Sequence, residues 1–105
     1  MTDFQQRVYE VVKRIPRGKV VSYGVVARAV GVNSAQAIGQ ALRRNPYAPE
    51  VPCHRVIRAD GFMGGYLGEV SMESEKWQLL RAEGVRFDER GYLLSADAWC
   101  DEIPS

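Results

Sequence analysis

The sequence predicts a mainly α domain with short β elements, and three observations carry that reading. Apolar residues recur at helical spacing along the chain. Two short helical stretches are joined by a three-residue turn opened by Gly31, which is a helix-turn-helix signal. The extended stretches between the helices are short and include one that sets a thiol beside an imidazole.

The elements follow in order. Phe4, Val8, Val11, Val12 and Ile15 share one helical face, so a helix is expected from Phe4 to Ile15 with Asp3 as its N-cap and Pro16-Arg17-Gly18 as its stop. Lys19-Val20-Val21 reads as a short extended piece. Ser22 then caps a second helix, Tyr23 to Val30, which Gly31 ends at the C′ position. Asn33 or Ser34 caps a third helix that runs to about Arg44 before Asn45-Pro46. This helix is built from small residues, Ala35, Ala37, Gly39 and Ala41, with Arg43 and Arg44 at its far end. Small residues let a backbone approach another surface closely; tight packing against a neighbouring helix would explain them equally well.

A Pro-bearing loop, Asn45 to Glu50, leads into the Cys53 strand. Asp60-Gly61 is a turn signal, and Gly64-Gly65-Tyr66-Leu67-Gly68 reads as a flexible loop. Ser71 caps a fourth helix, Met72 to Ala82, with Met72, Trp77 and Leu80 as its core face and Gly84 as its stop. Val85-Arg86-Phe87 and Tyr92-Leu93-Leu94 flank Asp88-Glu89-Arg90-Gly91 as a small hairpin. Trp99 anchors an acidic tail from Ser95 to Ser105. The 105 residues suffice for one domain, with residues 85–105 forming the hairpin and tail.

Composition excludes several classes. Apolar residues make up 46% and charged residues 26%, as in an ordinary globular protein. The N-terminus lacks the apolar run of a signal peptide, and no segment is long and apolar enough to cross a bilayer. An intracellular location with reduced cysteines is therefore expected, in the cytoplasm of a prokaryote or the nucleus of a eukaryote. Two Cys and one His supply three soft ligands at most, in no zinc spacing, so no metal or cofactor is expected. The net charge of +1 does not describe a strongly basic binder, but its distribution is uneven. Residues 1–58 carry ten Lys/Arg against three acids, while residues 59–105 carry four against ten. Either a polyanion meets the first half or the charge is simply solvated.

The chemistry concentrates in Val51-Pro52-Cys53-His54-Arg55-Val56-Ile57. A thiolate is the nucleophilic form of cysteine, so reactivity depends on what lowers the thiol pKa. His54, the chain's only imidazole, could take the proton directly or through one water, and Arg55 adds positive potential nearby. A depressed Cys53 pKa is expected on that basis. The alternative is a buried cysteine in a short strand, with His54 and Arg55 solvated.

The order Ser22-Tyr23, helix-turn-helix, Asn45-Pro46, Pro52-Cys53-His54-Arg55-Val56, Gly65-Tyr66 and Leu79-Leu80-Arg81-Ala82-Glu83-Gly84 resembles the C-terminal domain of the O6-alkylguanine-DNA alkyltransferases. The resemblance covers roughly residues 4–87. It implies a winged-helix-like DNA-binding domain with an active-site loop, and single-turnover repair of O6-alkylguanine flipped out of duplex DNA. Cys53 would accept the alkyl group, His54 would act as base through a water, and Glu83 would orient the imidazole. Tyr23 would protonate the departing guanine. Asn45, Val56 and Tyr66 would shape the base pocket, with Asn45 tying the third helix to the active-site loop. Ser34, Ala35, Gln36, Ala37, Gly39 and Arg43 would meet the minor groove. The implied partners are double-stranded DNA containing O6-alkylguanine and nucleotide-excision-repair proteins; a monomer away from membranes is expected. The sequence departs from the family where an arginine finger is usual, which is Gln36 here, and Leu67 stands where Ser is frequent. The usual N-terminal domain is not in the sequence. The compact format resembles the alkyltransferase-like proteins, which bind and flip the lesion without a cysteine and recruit other factors; Cys53 sets this chain apart from them.

Overall fold

A computed structural model describes residues 2–64 and 75–104. The loop at Gly65 to Gly68 with Tyr66 and Leu67, and the start of the fourth helix at Ser71 and Met72, lie outside the described residues.

The first helix, α1, spans Asp3–Val12 and is capped by Thr2 rather than by Asp3. Thr2 wins because Gln5 sits three positions on and closes a capping box: the Gln5 N–H donates to Thr2 Oγ1, and the Thr2 N–H donates to Gln5 Oε1. Asp3 then falls in the first turn, where its charge favours the helix dipole. The helix stops at Val12, short of the expected Ile15, which is nevertheless fully buried beyond it.

Strand β1, Val21–Ser22, runs directly into α2, Tyr23–Val30. Ser22 Oγ accepts from the Val25 N–H at 3.2 Å, and Gly31 closes α2 at φ +92°, a left-handed conformation that favours glycine. After the turn, Ser34 rather than Asn33 caps α3, Ala35–Arg43, by accepting from the Ala37 N–H at 3.0 Å. α1, α2 and α3 bury Val8, Val12, Val26, Ile38 and Leu42 in one core. At about 1.5–3 kcal/mol per buried aliphatic side chain, this core is the main source of stability for the helical half. A buried bond from the Tyr9 hydroxyl to the Ala41 carbonyl, 2.8 Å, pins α1 to α3.

Cys53 does not lie in a strand. Cys53–Arg55 is a single 3-10 turn, and β2, Val56–Ile57, begins only after it. β2 pairs in parallel with β1, Val21 opposite Val56 and Ser22 opposite Ile57. That two-residue ladder sets the turn carrying Cys53 beside the start of α2 carrying Tyr23.

The described part of the fourth helix, α4, spans Glu75–Ala82. Leu80 is buried as expected, but Trp77 is only half-buried and its ring lies under the Arg81 guanidinium. The position buried in its place is Lys76. A second core joins Val20, Ile57, Met63, Leu80, Val85 and Ala98. Where a hairpin is expected there is an isolated antiparallel bridge, Phe87 opposite Leu93, and a second such bridge pairs Phe62 with Tyr92. The tail returns to β1: the Val20 N–H donates to Ala98 O and the Cys100 N–H to Val20 O, both at 2.9 Å, with Trp99 packed on the second core.

Candidate active site

The turn at Cys53–Arg55 is held from both sides. Asn45, buried at the end of α3, donates through Nδ2 to the Val51 carbonyl at 2.9 Å and accepts from the Tyr47 N–H at 2.9 Å. The Val51 carbonyl also accepts from the Cys53 N–H at 2.8 Å, so α3 and the reactive turn share one acceptor.

His54 is 2% exposed, and its Nε2 lies 2.7 Å from Glu83 Oε2. Glu83, just past α4, is also gripped by Arg55: Nε donates to Oε1 and Nη2 to Oε2, each at 2.9 Å. The Gly18 N–H adds a third donor at 3.2 Å. Burial alone would raise the Glu83 pKa, but the hydrogen bonds from Arg55, His54 and Gly18 outweigh it and hold the carboxyl at about 2. Burial lowers the His54 pKa from its usual 6.5; Glu83 opposes that shift, while Arg55 and Lys76 reinforce it. The ring is therefore neutral near pH 7, with Nε2–H donating to Glu83.

Arg55, expected to add positive potential near the thiol, directs its guanidinium at other partners. Its fork is spent on Glu83, and Nη1 donates to the Ile15 carbonyl at 2.7 Å. Lys76 is a cation that bears on Cys53; its side chain is fully buried and donates from Nζ to the Val56 carbonyl at 2.8 Å. Burial lowers the Lys76 pKa from 10.5 to about 7, and the Cys53 charge opposes that shift. Tyr23 is pushed up first by burial and then by Cys53. The Tyr23 hydroxyl and Lys76 Nζ approach one point: a Cβ placed on Gly64 would stand 3.9 Å from the first, 4.0 Å from the second and 3.8 Å from Arg58 Cγ. Cys53, His54, Glu83, Tyr23 and Lys76 thus converge, while Tyr66 lies outside the described residues.

The Val56 backbone is already engaged. Its N–H donates to the Cys53 carbonyl, and its carbonyl accepts from Lys76. Ser34, Ala35, Gln36 and Arg43 are exposed and Ala37 and Gly39 half-buried on the outer side of α3. A shallow groove between α3 and Tyr23 is lined by Ala35, Gln36, Gly39, Gln40 and Arg43. Sequence reasoning missed Gln40, one helical turn beyond Gln36, which that spacing alone could have found. It also missed Lys76, which nothing local distinguishes from a solvated lysine. Among the described residues no cluster of His, Cys, Asp or Glu could hold a metal, neither cysteine is in a disulfide, and no helix is long and apolar enough to cross a membrane.

A helix-turn-helix whose third helix is tied through Asn45 to a turn carrying a buried Cys-His pair, with Glu83 on the imidazole, defines a class of compact domains that set a thiol beside a helix-turn-helix. The family described as 6-O-methylguanine DNA methyltransferase, DNA binding domain, matches residues 3–85, and the chain belongs to it. A methylated-DNA–protein-cysteine methyltransferase of Methanothermobacter thermautotrophicus is 47% identical over 87 residues, covering 83% of this chain and 47% of that protein. A DNA base-flipping protein of Thermus thermophilus is 49% identical over 79 residues, covering 75% of this chain and 51% of its own. The chain spans about half the length of these curated relatives. The S. pombe ATL structure, solved in complex with DNA, superposes with a TM-score of 0.72 at 33% identity, covering 89% of this chain and 88% of that one.

Proposed function

We propose that the chain repairs duplex DNA by moving the alkyl group of O6-alkylguanine irreversibly onto Cys53. The observation that carries this reading is the array in which a neutral His54, hydrogen-bonded to Glu83 at 2.7 Å, adjoins a buried thiol. The name borne by the Methanothermobacter relative supports it.

In this reading α3 enters the minor groove by its Ala35, Ala37 and Gly39 side, Ser34, Gln36 and Arg43 contact the duplex, and the damaged base turns into the space near Tyr23 and Val56. His54, acting through a water, takes the Cys53 proton, and the Lys76 ammonium favours the resulting thiolate. The sulfur attacks the alkyl carbon, forming a C–S bond as the C–O6 bond breaks with its electrons staying on guanine. Tyr23 delivers a proton to the guanine, and the proton held by His54 makes good the tyrosine. Each molecule acts once, as a monomer, and no cofactor takes part. Nucleotide-excision-repair proteins are the further partners of this reading.

The test is the intact mass after incubation with a duplex bearing O6-methylguanine, followed by peptide mapping. One added methyl on Cys53, lost in Cys53→Ser, is the expected result. Tight lesion binding with no added mass would overturn transfer and leave a recognition protein, as the name of the Thermus relative suggests for that protein.

A further inference from the structure

The turn Cys53–Arg55 places three functional groups in consecutive positions, and the third is not directed at the thiol. Arg55 closes a two-point fork on Glu83 and anchors itself to the Ile15 carbonyl, while the Gly18 N–H meets the same carboxylate from the segment that follows. We propose that Arg55 is a positioning residue for the reaction centre: by binding both oxygens of Glu83, it keeps His54 a neutral base instead of an imidazolium.

The physical reason is a competition for one negative charge. A buried carboxylate 2.7 Å from an imidazole, with no other cation, draws a proton onto the ring and forms an ion pair. An imidazolium cannot take a proton from a thiol. A guanidinium with planar two-point geometry neutralises the carboxylate first and fixes its orientation. Glu83 then still accepts from Nε2–H, which sets the tautomer and leaves Nδ1 as the proton acceptor. The charged and titratable groups around the ring act together. Glu83 and Lys76 face it from α4 and its end, Arg55 and Cys53 belong to its own turn, and Tyr23, at the start of α2, bears on Cys53. Only Glu83 pulls a proton towards His54; Arg55 and Lys76 oppose it. Arg55 is the one of these two that touches Glu83 directly, and it is 15% exposed, so water screens it little.

Because the chain has a single histidine, its imidazole can be titrated by nuclear magnetic resonance on the full protein, without DNA. Arg55→Gln is expected to raise the His54 midpoint by about one pH unit or more. Arg55→Lys keeps the charge but loses the fork, and should give a smaller rise. In single-turnover transfer from O6-methylguanine duplex, the acid limb of the Arg55→Gln rate profile should move up by the same amount. The rate at pH values below the wild-type midpoint, itself lower than the ordinary imidazole 6.5, would then fall roughly tenfold while the alkaline plateau stays. An unmoved His54 midpoint, or a rate loss uniform across pH, would overturn the proposal. If Arg55→Gln does not fold, Arg55→Lys decides by the same midpoint. The kinetic arm rests on the proposed alkyl transfer; a wild-type chain that transfers nothing would refute that function, and the imidazole titration would still judge Arg55.

Discussion

At the scale of single residues, the site depends on charges that a linear reading places wrongly. Lys76 stands in α4 between Glu75 and Trp77, where a lysine is ordinarily solvated; its burial comes from packing against the Cys53 turn and β2. The fold carries it at a cost. Unfolded, it holds its proton to about 10.5; folded, only to about 7. The penalty is therefore complete below pH 7 and is relieved as pH rises towards 10.5, because the unfolded chain binds the extra proton in that window. Lys76→Met abolishes this dependence. Urea unfolding across the window should show the wild type gaining on the variant by up to about 1.4 kcal/mol per pH unit. A constant difference would remove Lys76 as the cause. Arg55 was legible as a cation, but its partner Glu83 lies 28 positions away. Contacts of that separation leave no local signature.

At the scale of elements, capping chemistry made much of the fold readable. Ser22, Gly31 and Ser34 bound α2 and α3 through bonds within three or four residues, so composition alone places them. Thr2 and Asp3 compete for one cap, and only the reciprocal bond from Gln5 decides it. The Cys53 turn was misread because Val51, Val56 and Ile57 favour a strand; the chain bends where the Asn45 and Val51 bonds require it. Within α3, Gly39 is not demanded by the interior, since an added Cβ would meet Tyr23 Cε1 at an ordinary 3.8 Å. Gly39→Ala should therefore stabilise the fold by about 0.5–1 kcal/mol, whereas Gly39→Leu should leave folding intact and weaken duplex binding. Paired urea titrations and anisotropy measurements would show a loss of stability instead if the glycine served internal packing. Gln36 is exposed on the same side of α3. Gln36→Arg should tighten lesion binding and speed transfer roughly tenfold, about 1.5 kcal/mol for one charge-assisted hydrogen bond. Unchanged rate and affinity would show that this position does not limit base flipping.

At the scale of the molecule, the helical core and the second core meet at the β1–β2 ladder, and the reaction centre sits on that seam. Residues from α2, the Cys53 turn and α4 must be brought together there, which is why the motif could point to a candidate thiol while the buried Lys76 and the Arg55 fork on Glu83 left no local signal. The tail completes the seam on its other side: Val20 exchanges both backbone bonds with Ala98 and Cys100. An unpaired sheet edge is a template for other chains. Here the strand that would offer one is shielded by a segment carrying Asp97, Asp101 and Glu102, whose like charges repel a second copy. Deleting residues 98–104 should thus produce concentration-dependent self-association, visible by sedimentation, and a tail-less chain that stays monomeric would contradict it. Under the proposed transfer each molecule acts once, so spent and unspent copies would have to coexist, and the charged tail would serve a colloidal role distinct from repair by keeping those copies from sticking.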